Sequence, residues 1–197
     1  MSTTPIRAEQ RLMSASEIER TLVRLAHQIS EKSEDAHAGL DLAASASSPN
    51  GPALIGIERR GVPLAARLGK LLSTIEKQPV DLGRLDISFY RDDLSTHGPR
   101  PVVTASPFGF DITGRDIILV DDVLYTGRTI RAALDAVFDQ GRPRRIELLV
   151  LIDRGHRELP IEATYVGRTI QTTQQQIVEV RLHEVDREDQ VVLVERK

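Results

Sequence analysis

The sequence predicts an α/β domain built on a mostly parallel central sheet flanked by helices. Three observations carry that expectation. Short apolar runs alternate with helix-periodic segments along most of the chain, an order that builds parallel sheets covered on both faces. The runs at 53–57, 116–121 and 145–153 read as buried strands. A length of 197 residues with 40% hydrophobic content suits one sizeable core, so 1–197 is read as a single domain.

Composition narrows the function classes. The formal net charge of −3 announces no wholesale nucleic-acid-binding surface, so any RNA contact needs a local basic patch. The absence of cysteine excludes disulfides and thiolate metal sites and fits a reducing compartment. The first thirty residues hold no continuous apolar stretch of the secretory type. No run reaches the roughly 18–20 apolar residues of a membrane span. A soluble, cytoplasmic protein is expected, with no membrane partner.

The first element is a helix within 14–32, where Ile18, Leu22, Leu25 and Ile29 form one stripe. Ser16 and Glu19 have the spacing of a capping box at its start. The small, polar segment 41–52 is a loop. Strand "ALIGI" (53–57) leads through "ERRG" into a helix over 62–75, with Pro63 in its first turn. "RLDISFY" (84–90) is strand-like. The proline- and glycine-rich stretch 91–115 is long for a loop, which marks it as functional. "DIILVD" (116–121) is a strand, "RTIRAALDAVFDQ" (128–140) a helix closed by Gly141, and "RIELLVLID" (145–153) a strand. "ATYVG", "QIVEVRL" and "QVVLVER" are short strands joined by turns.

The chemistry concentrates in "ILVDDVLYTGRTI" (118–130). An acid at a strand end commonly caps the next helix or faces water. Here two acids are adjacent, so the pleat sends Asp121 and Asp122 to opposite sides. The turn after them carries Thr126, Gly127 and Thr129, and a helix starts at once. A strand, a tight turn and a helix N-terminus make an anion site of outward-pointing amides, which Gly127 lets a ligand approach closely. Carboxylates beside that anion cannot bind it, but they can accept hydrogen bonds from the hydroxyls of an attached sugar. Neither the glycine spacing nor a lysine of a Walker loop is present, and the turn is not a dinucleotide fingerprint.

"IILVDDVLYTGRT" resembles the signature of type I phosphoribosyltransferases, which bind 5-phosphoribosyl-1-diphosphate (PRPP). With "LDISFYRDDLS", "GRPRRIELLVLIDRGHRELPI" and "HEVDREDQVVL" the likeness extends to the PyrR family of pyrimidine-operon regulators with uracil phosphoribosyltransferase activity. The resemblance implies the type I phosphoribosyltransferase fold, with a small hood from the N- and C-terminal segments and a flexible lid within 91–115. It also implies a reaction: uracil and PRPP give UMP and diphosphate, with Mg²⁺.

By that resemblance the 5′-phosphate loop comprises Val123, Leu124, Tyr125, Thr126, Gly127, Arg128 and Thr129, and Asp121 and Asp122 take the ribose hydroxyls. "GIERRG" (56–61) offers Arg59 and Arg60 to the diphosphate as multidentate donors. Asp121, Asp122 and Arg60 are the expected catalytic residues. The metal is carried mainly by PRPP, with Asp121 and Asp122 as its protein contacts. Arg91 opens the lid and reaches for the diphosphate, with Asp92 and Asp93 beside it. Arg154 and Val178 match uracil contacts. Glu58 faces away or helps to hold the metal. His156, a lone histidine in a charged loop, is expected to be structural.

The same resemblance implies binding to a pyr operon mRNA leader under UMP and UTP control. The family's RNA surface is basic and lies away from the active site. Arg24, His27, Arg142, Arg144, Arg145, Arg157 and Arg168 are its candidates here, while Val23 and Glu162 depart from the pattern of the better-known regulators. A homo-oligomer, dimer or higher, is implied. Alternatives are an RNA-binding, UMP-sensing regulator with little catalytic activity, a phosphoribosyltransferase for another base, and a non-enzymatic nucleotide-binding module.

Overall fold

The computed structural model describes residues 9–38, 51–88, 90 and 108–195. Its elements in chain order are β1 (Glu9–Ser14), α1 (Ala15–Ala38), β2 (Ala53–Ile57), α2 (Gly61–Glu76), β3 (Leu82–Leu85), β4 (Asp116–Leu124), α3 (Arg128–Phe138), β5 (Arg145–Asp153), β6 (Tyr165–Thr169), β7 (Gln176–Arg181), α4 (His183–Asp186) and β8 (Gln190–Glu195). Five strands form a sheet in the order β3-β2-β4-β5-β6, and every neighbouring pair is parallel. A separate antiparallel sheet has the order β1-β8-β7. It joins strands from early and late in the sequence, where the hood was expected.

The pleat sorts the central strands between two cores. Leu54, Ile118, Val120, Leu149 and Leu151 face α1 and α2, packing with Ile18, Leu22, Leu25, Leu64 and Leu68. Ile55, Ile57, Ile117, Leu119, Leu148 and Val150 face the other way, onto Ile130, Ala133 and Val137 of α3. Strands buried on both faces read as unbroken apolar runs, which is why β2 and β5 coincide with their sequence-predicted limits. All four stripe residues of α1 lie in the first core, none more than 3% exposed. The smaller sheet adds Met13, Val178, Val180 and Val191 to that core and so sits on the side of α1 and α2.

Several expectations shift. The cap of α1 lies two residues earlier than the Ser16–Glu19 spacing suggests: the Glu17 carboxylate accepts the Ser14 amide at 2.8 Å and the Ser14 hydroxyl at 2.7 Å. β3 ends at Leu85 because Asp86 Oδ1 accepts the Ser88 amide (2.9 Å) and hydroxyl (2.5 Å), which turns the chain out of the sheet. β4 continues through the acid pair to Leu124, so Asp121 and Asp122 lie within the strand and not past its end. Phe108 and Ile112 are buried in the α3-side core, which takes 108–115 out of the expected lid. The 91–107 part of that lid, Arg91 included, and most of the 41–52 loop lie outside the described residues. Among the described residues no helix is long and apolar enough to cross a membrane.

The position of the cap is testable. Ser14→Ala should lower the midpoint of thermal unfolding by about 2–4 °C, as loss of a typical capping side chain of about 1 kcal/mol does in a domain this size. Ser16→Ala should change it by less than about 1 °C, since an exposed side chain outside the cap contributes little.

Candidate active site

The carboxyl ends of β2, β4, β5 and β6 lie at one edge of the central sheet, where ligands bind in open parallel sheets. The expected split of the acid pair to opposite sides is not what the strand shows: alternation breaks after Val120, with Val123 packing on the α1–α2 core and Leu124 on the α3 core, and the Asp121 and Asp122 side chains lie within hydrogen-bond reach of each other. Asp121 is only 5% exposed. Its Oδ1 accepts the Asp122 amide at 2.9 Å, and Asp122 Oδ1 in turn accepts the Val123 amide at 2.9 Å. Burial pushes the Asp121 carboxyl well above its ordinary range, and the Asp122 charge pushes it the same way. Burial raises Asp122 as well, but the hydrogen bond with Asp121 and the nearby Arg60 guanidinium oppose the rise.

The turn Tyr125–Gly127 leads directly into α3. Gly127 caps the helix at φ +92°, a left-handed conformation that side chains disfavour. Gly127 offers no capping side chain and the first turn of α3 holds no acid, so the leading amides other than that of Arg128 keep their capacity to bind an anion. The Thr126 carbonyl accepts the Glu158 and Leu159 amides at 3.0 and 3.1 Å, fastening the turn to the segment after β5. Thr126 Oγ1 accepts the Arg128 amide at 3.3 Å, and the Arg128 side chain pairs with Glu158 at 2.6 Å.

The loop from β2 to α2 approaches the same edge from the other side. A Cβ on Gly61 would overlap the Val120 carbonyl oxygen, so glycine is needed for α2 to start against β4. The Glu58–Arg59 peptide is cis. Glu58 pairs with Arg84 and so faces away from the acid pair, the first of the two outcomes expected for it. Arg59 is exposed. Arg60 lies close enough to Asp122 to oppose the rise in its pKa, and its guanidinium is held by Asp186 of α4. No sequence argument singled out Asp186. The string "HEVDRED" held four acids with nothing in its spacing to say which one turns inward.

A third wall follows β5. Arg154 is 6% exposed, lies with its guanidinium 4.1 Å from the Tyr125 ring centre, and donates from Nη2 to the Thr173 carbonyl at 3.1 Å. Its Nε is buried with no hydrogen-bond partner. A cavity of about 650 Å³ opens beside it at the ends of β5 and β6, lined in part by His156, Thr169, Gln171 and Thr172. Val178 does not line this cavity; its side chain is in the core on β7, the edge strand of the smaller sheet. Only its backbone is therefore available to a ligand. His156 adopts φ +61° and its Nε2 meets the Thr172 carbonyl at 2.6 Å, a loop-holding role.

The seven basic candidates for an RNA surface separate into groups. Arg24 and Arg168 line one basin of about 350 Å³ with Arg20, and His27 is exposed one turn along α1 from Arg24. Arg24 Nη2 donates to the Gly167 carbonyl at 2.6 Å and Arg168 Nη1 to the Leu12 carbonyl at 2.6 Å. Arg144 and Arg145 both pair with Asp116 at the amino end of β4, the opposite end of the strand from the acid pair, and Arg142 is exposed nearby in sequence. Arg157 departs from the expectation of a surface away from the active site. Its guanidinium binds Asp153 at 2.6 Å and the carbonyls of Tyr125 (2.8 Å) and Ile161 (3.0 Å), bracing the turn between β4 and α3 from behind.

The raised Asp121 pKa carries a stability consequence. A carboxyl raised in the folded state favours folding at low pH, and that contribution is lost as pH rises through the raised value. Asp121→Asn keeps an oxygen for the Asp122 amide and removes the ionisation. Thermal unfolding of the ligand-free variant should therefore lie above wild type at alkaline pH and converge with it as the pH falls toward the ordinary carboxylate range.

Comparison with known proteins accords with this geometry. A model of the phosphoribosyl transferase domain matches residues 14–184. The bifunctional protein PyrR of Roseiflexus sp. (strain RS-1) is 52% identical over 178 residues, 90% of each chain. That of Thermus thermophilus is 50% identical over 192 residues, covering 98% of this chain and 99% of its own. Among solved structures, the hypoxanthine phosphoribosyltransferase of Trypanosoma cruzi superposes with a TM-score of 0.67 at 22% identity, covering 96% of this chain and 98% of that one. HGPRT-ase from Leishmania tarentolae, in complex with GMP, gives 0.67 at 19% identity, covering 98% and 99%. These two likenesses establish the fold. The chain is a phosphoribosyltransferase and belongs, within that family, to the PyrR proteins.

Proposed function

We propose that this protein transfers the phosphoribosyl group of PRPP to uracil, giving UMP and diphosphate, and that it also binds a pyr messenger RNA leader under control of UMP and UTP in the cytoplasm. The observation that carries the catalytic part is the continuity of β4, the acid pair and the uncapped start of α3. A 5′-phosphate seated at the start of α3 leaves the ribose hydroxyls against the adjoining carboxyls of Asp121 and Asp122.

In the reaction a uracil ring nitrogen forms its bond to C1′ as the bond from C1′ to the diphosphate oxygen breaks, and the electron pair leaves with the diphosphate. The sugar gains oxocarbenium character on the way, as in glycosyl transfer generally. Preorganised carboxylates near the ribose suit that positive charge, and Arg60 and Arg59 suit the departing negative charge. Among the described residues no group of three or more His, Asp or Glu could hold a metal. Two adjacent carboxylates fit Mg²⁺ that keeps substrate and water oxygens, and Asp121 and Asp122 would hold it. When bound, the ion supplies neutralisation of the diphosphate charge. Arg154, which borders the cavity, supports the reading that this wall recognises the base, with the backbone near Val178 as its second contact.

For the RNA part, Arg24 and Arg168, which line one basin, with His27 exposed one turn along α1, make the most coherent patch. Arg142, Arg144 and Arg145 would extend it only by giving up their pairing with Asp116 where that exists.

With labelled uracil, PRPP and Mg²⁺ the wild type should form UMP, and adenine, guanine, hypoxanthine or orotate should be poor replacements; preference for one of these would reassign the base. Asp122→Asn should reduce kcat by about 100-fold or more while leaving the fold intact, the scale seen when a preorganised charge-stabilising group is lost. In gel shifts with a pyr leader transcript, Arg24→Ala should weaken binding and reduce the slope of log affinity against log salt by about 1. UMP formation by that variant should stay at the wild-type rate.

A further inference from the structure

The acid turn between β7 and β8 is fastened to α2 by two arginines seven residues apart, on one face of the helix and its leading turn. Arg67 holds Glu184 through Nε (2.9 Å) and Nη2 (2.6 Å), and the same Nη2 reaches Asp189 at 2.8 Å. Arg60 holds Asp186 through Nε at 3.0 Å and Nη2 at 2.8 Å. Asp186 is itself fixed, since its Oδ2 accepts the Leu182 amide at 3.0 Å. Both members of this pair are largely withdrawn from water, with side-chain exposures of 31% and 20%.

The two clamps differ in where they lie. Arg67 and its partners join α2 to the smaller sheet and touch nothing at the sheet edge. The Arg60 guanidinium also acts electrostatically on Asp122, so it feels an acid of the strand while it is bonded to an acid of the hood. Fork-to-fork pairing fixes the guanidinium plane and leaves Nη1 for a ligand. A free arginine would have to surrender its rotamer freedom when an anion binds, and one already held does not.

We propose that Asp186 is a positioning residue: from the hood, it sets the Arg60 guanidinium in the orientation that receives the diphosphate of the substrate. The inference rests on the assignment of the 56–61 loop to the diphosphate. The opposing expectation is simple electrostatics, in which an acid beside the anion site weakens anion binding, so that its removal tightens it. The geometry favours orientation, because the carboxylate is already neutralised by a bidentate partner.

The test is calorimetric titration of the full-length protein with inorganic diphosphate and Mg²⁺, together with thermal unfolding. Asp186→Asn retains an oxygen for the Leu182 amide but loses the charge, and should weaken diphosphate binding by about tenfold, the scale of an arginine left unoriented. Asp186→Glu should recover most of that loss. Glu184→Gln, which loosens the Arg67 clamp, should lower the unfolding midpoint by as much as Asp186→Asn yet leave diphosphate binding at the wild-type level. In turnover, Asp186→Asn should raise KM for PRPP with kcat little changed. Unchanged or tighter diphosphate binding in Asp186→Asn, or an equal loss in Glu184→Gln, would overturn the proposal. Binding of diphosphate by a wild type that transfers to no base would instead count against the proposed reaction and leave the Asp186 inference standing on its own titration.

Discussion

Two carboxyl groups on consecutive residues of a buried strand are costly, and the rest of the site is arranged around that cost. Asp121 has little access to water, and Asp122, hydrogen-bonded to it, is partly balanced by Arg60. Each accepts a backbone amide from the residue that follows. Those bonds hold both groups in place without removing the desolvation that raises them. A sheet edge that tolerates such a pair in the free protein has its charge ready for a ligand that brings hydroxyls or a cation, as strained or destabilised groups at functional sites generally do.

Backbone groups take part in holding each of the loops around the pair. Gly61 lets α2 begin against the Val120 carbonyl, so the arginine-bearing loop and the acid-bearing strand share a boundary with no side chain between them. The turn from β4 to α3 is braced through carbonyls, with Thr126 accepting from the 158–159 amides and Tyr125 from Arg157. Bracing of this kind leaves the amides that follow Arg128 at the start of α3, and the Thr129 side chain, to a ligand.

What could be read from the chain follows the range of the forces involved. β2, α2, α3 and β5 were legible because burial on both faces or along one helical stripe writes a pattern over five to sixteen consecutive residues. The phosphate turn was legible because Thr126, Gly127 and the acid pair sit within a few residues of each other. β1 was not: "EQRLMS" carries a mixed pattern and becomes a strand only by pairing with β8. The α1 cap shifted because Ser14–Glu17 and Ser16–Glu19 offer the same spacing, and only the pairing of β1 decides where the helix can begin. β3 was overestimated because a local Asx turn at Asp86 outcompetes the strand propensity of the residues after it. Arg157 looked like surface charge until its carbonyl partners, supplied by other loops, were in view. Asp186 was illegible for the same reason, since its partner lies 126 residues away.

The pairing of β1 with β8 also sets an order of assembly. Glu9 aligns with Val194 and Ser14 with Gln190 across that sheet, so β1 leaves the ribosome long before its neighbour is made. The parallel core can close as soon as β6 emerges, but the three-stranded layer above it has to wait for β8. The salt bridges from Arg60 and Arg67 to the turn between β7 and β8 wait with it. A nascent chain therefore passes through a stage with its nucleotide cradle built and its roof missing, and the roof closes only when β8 pairs with β1 and β7.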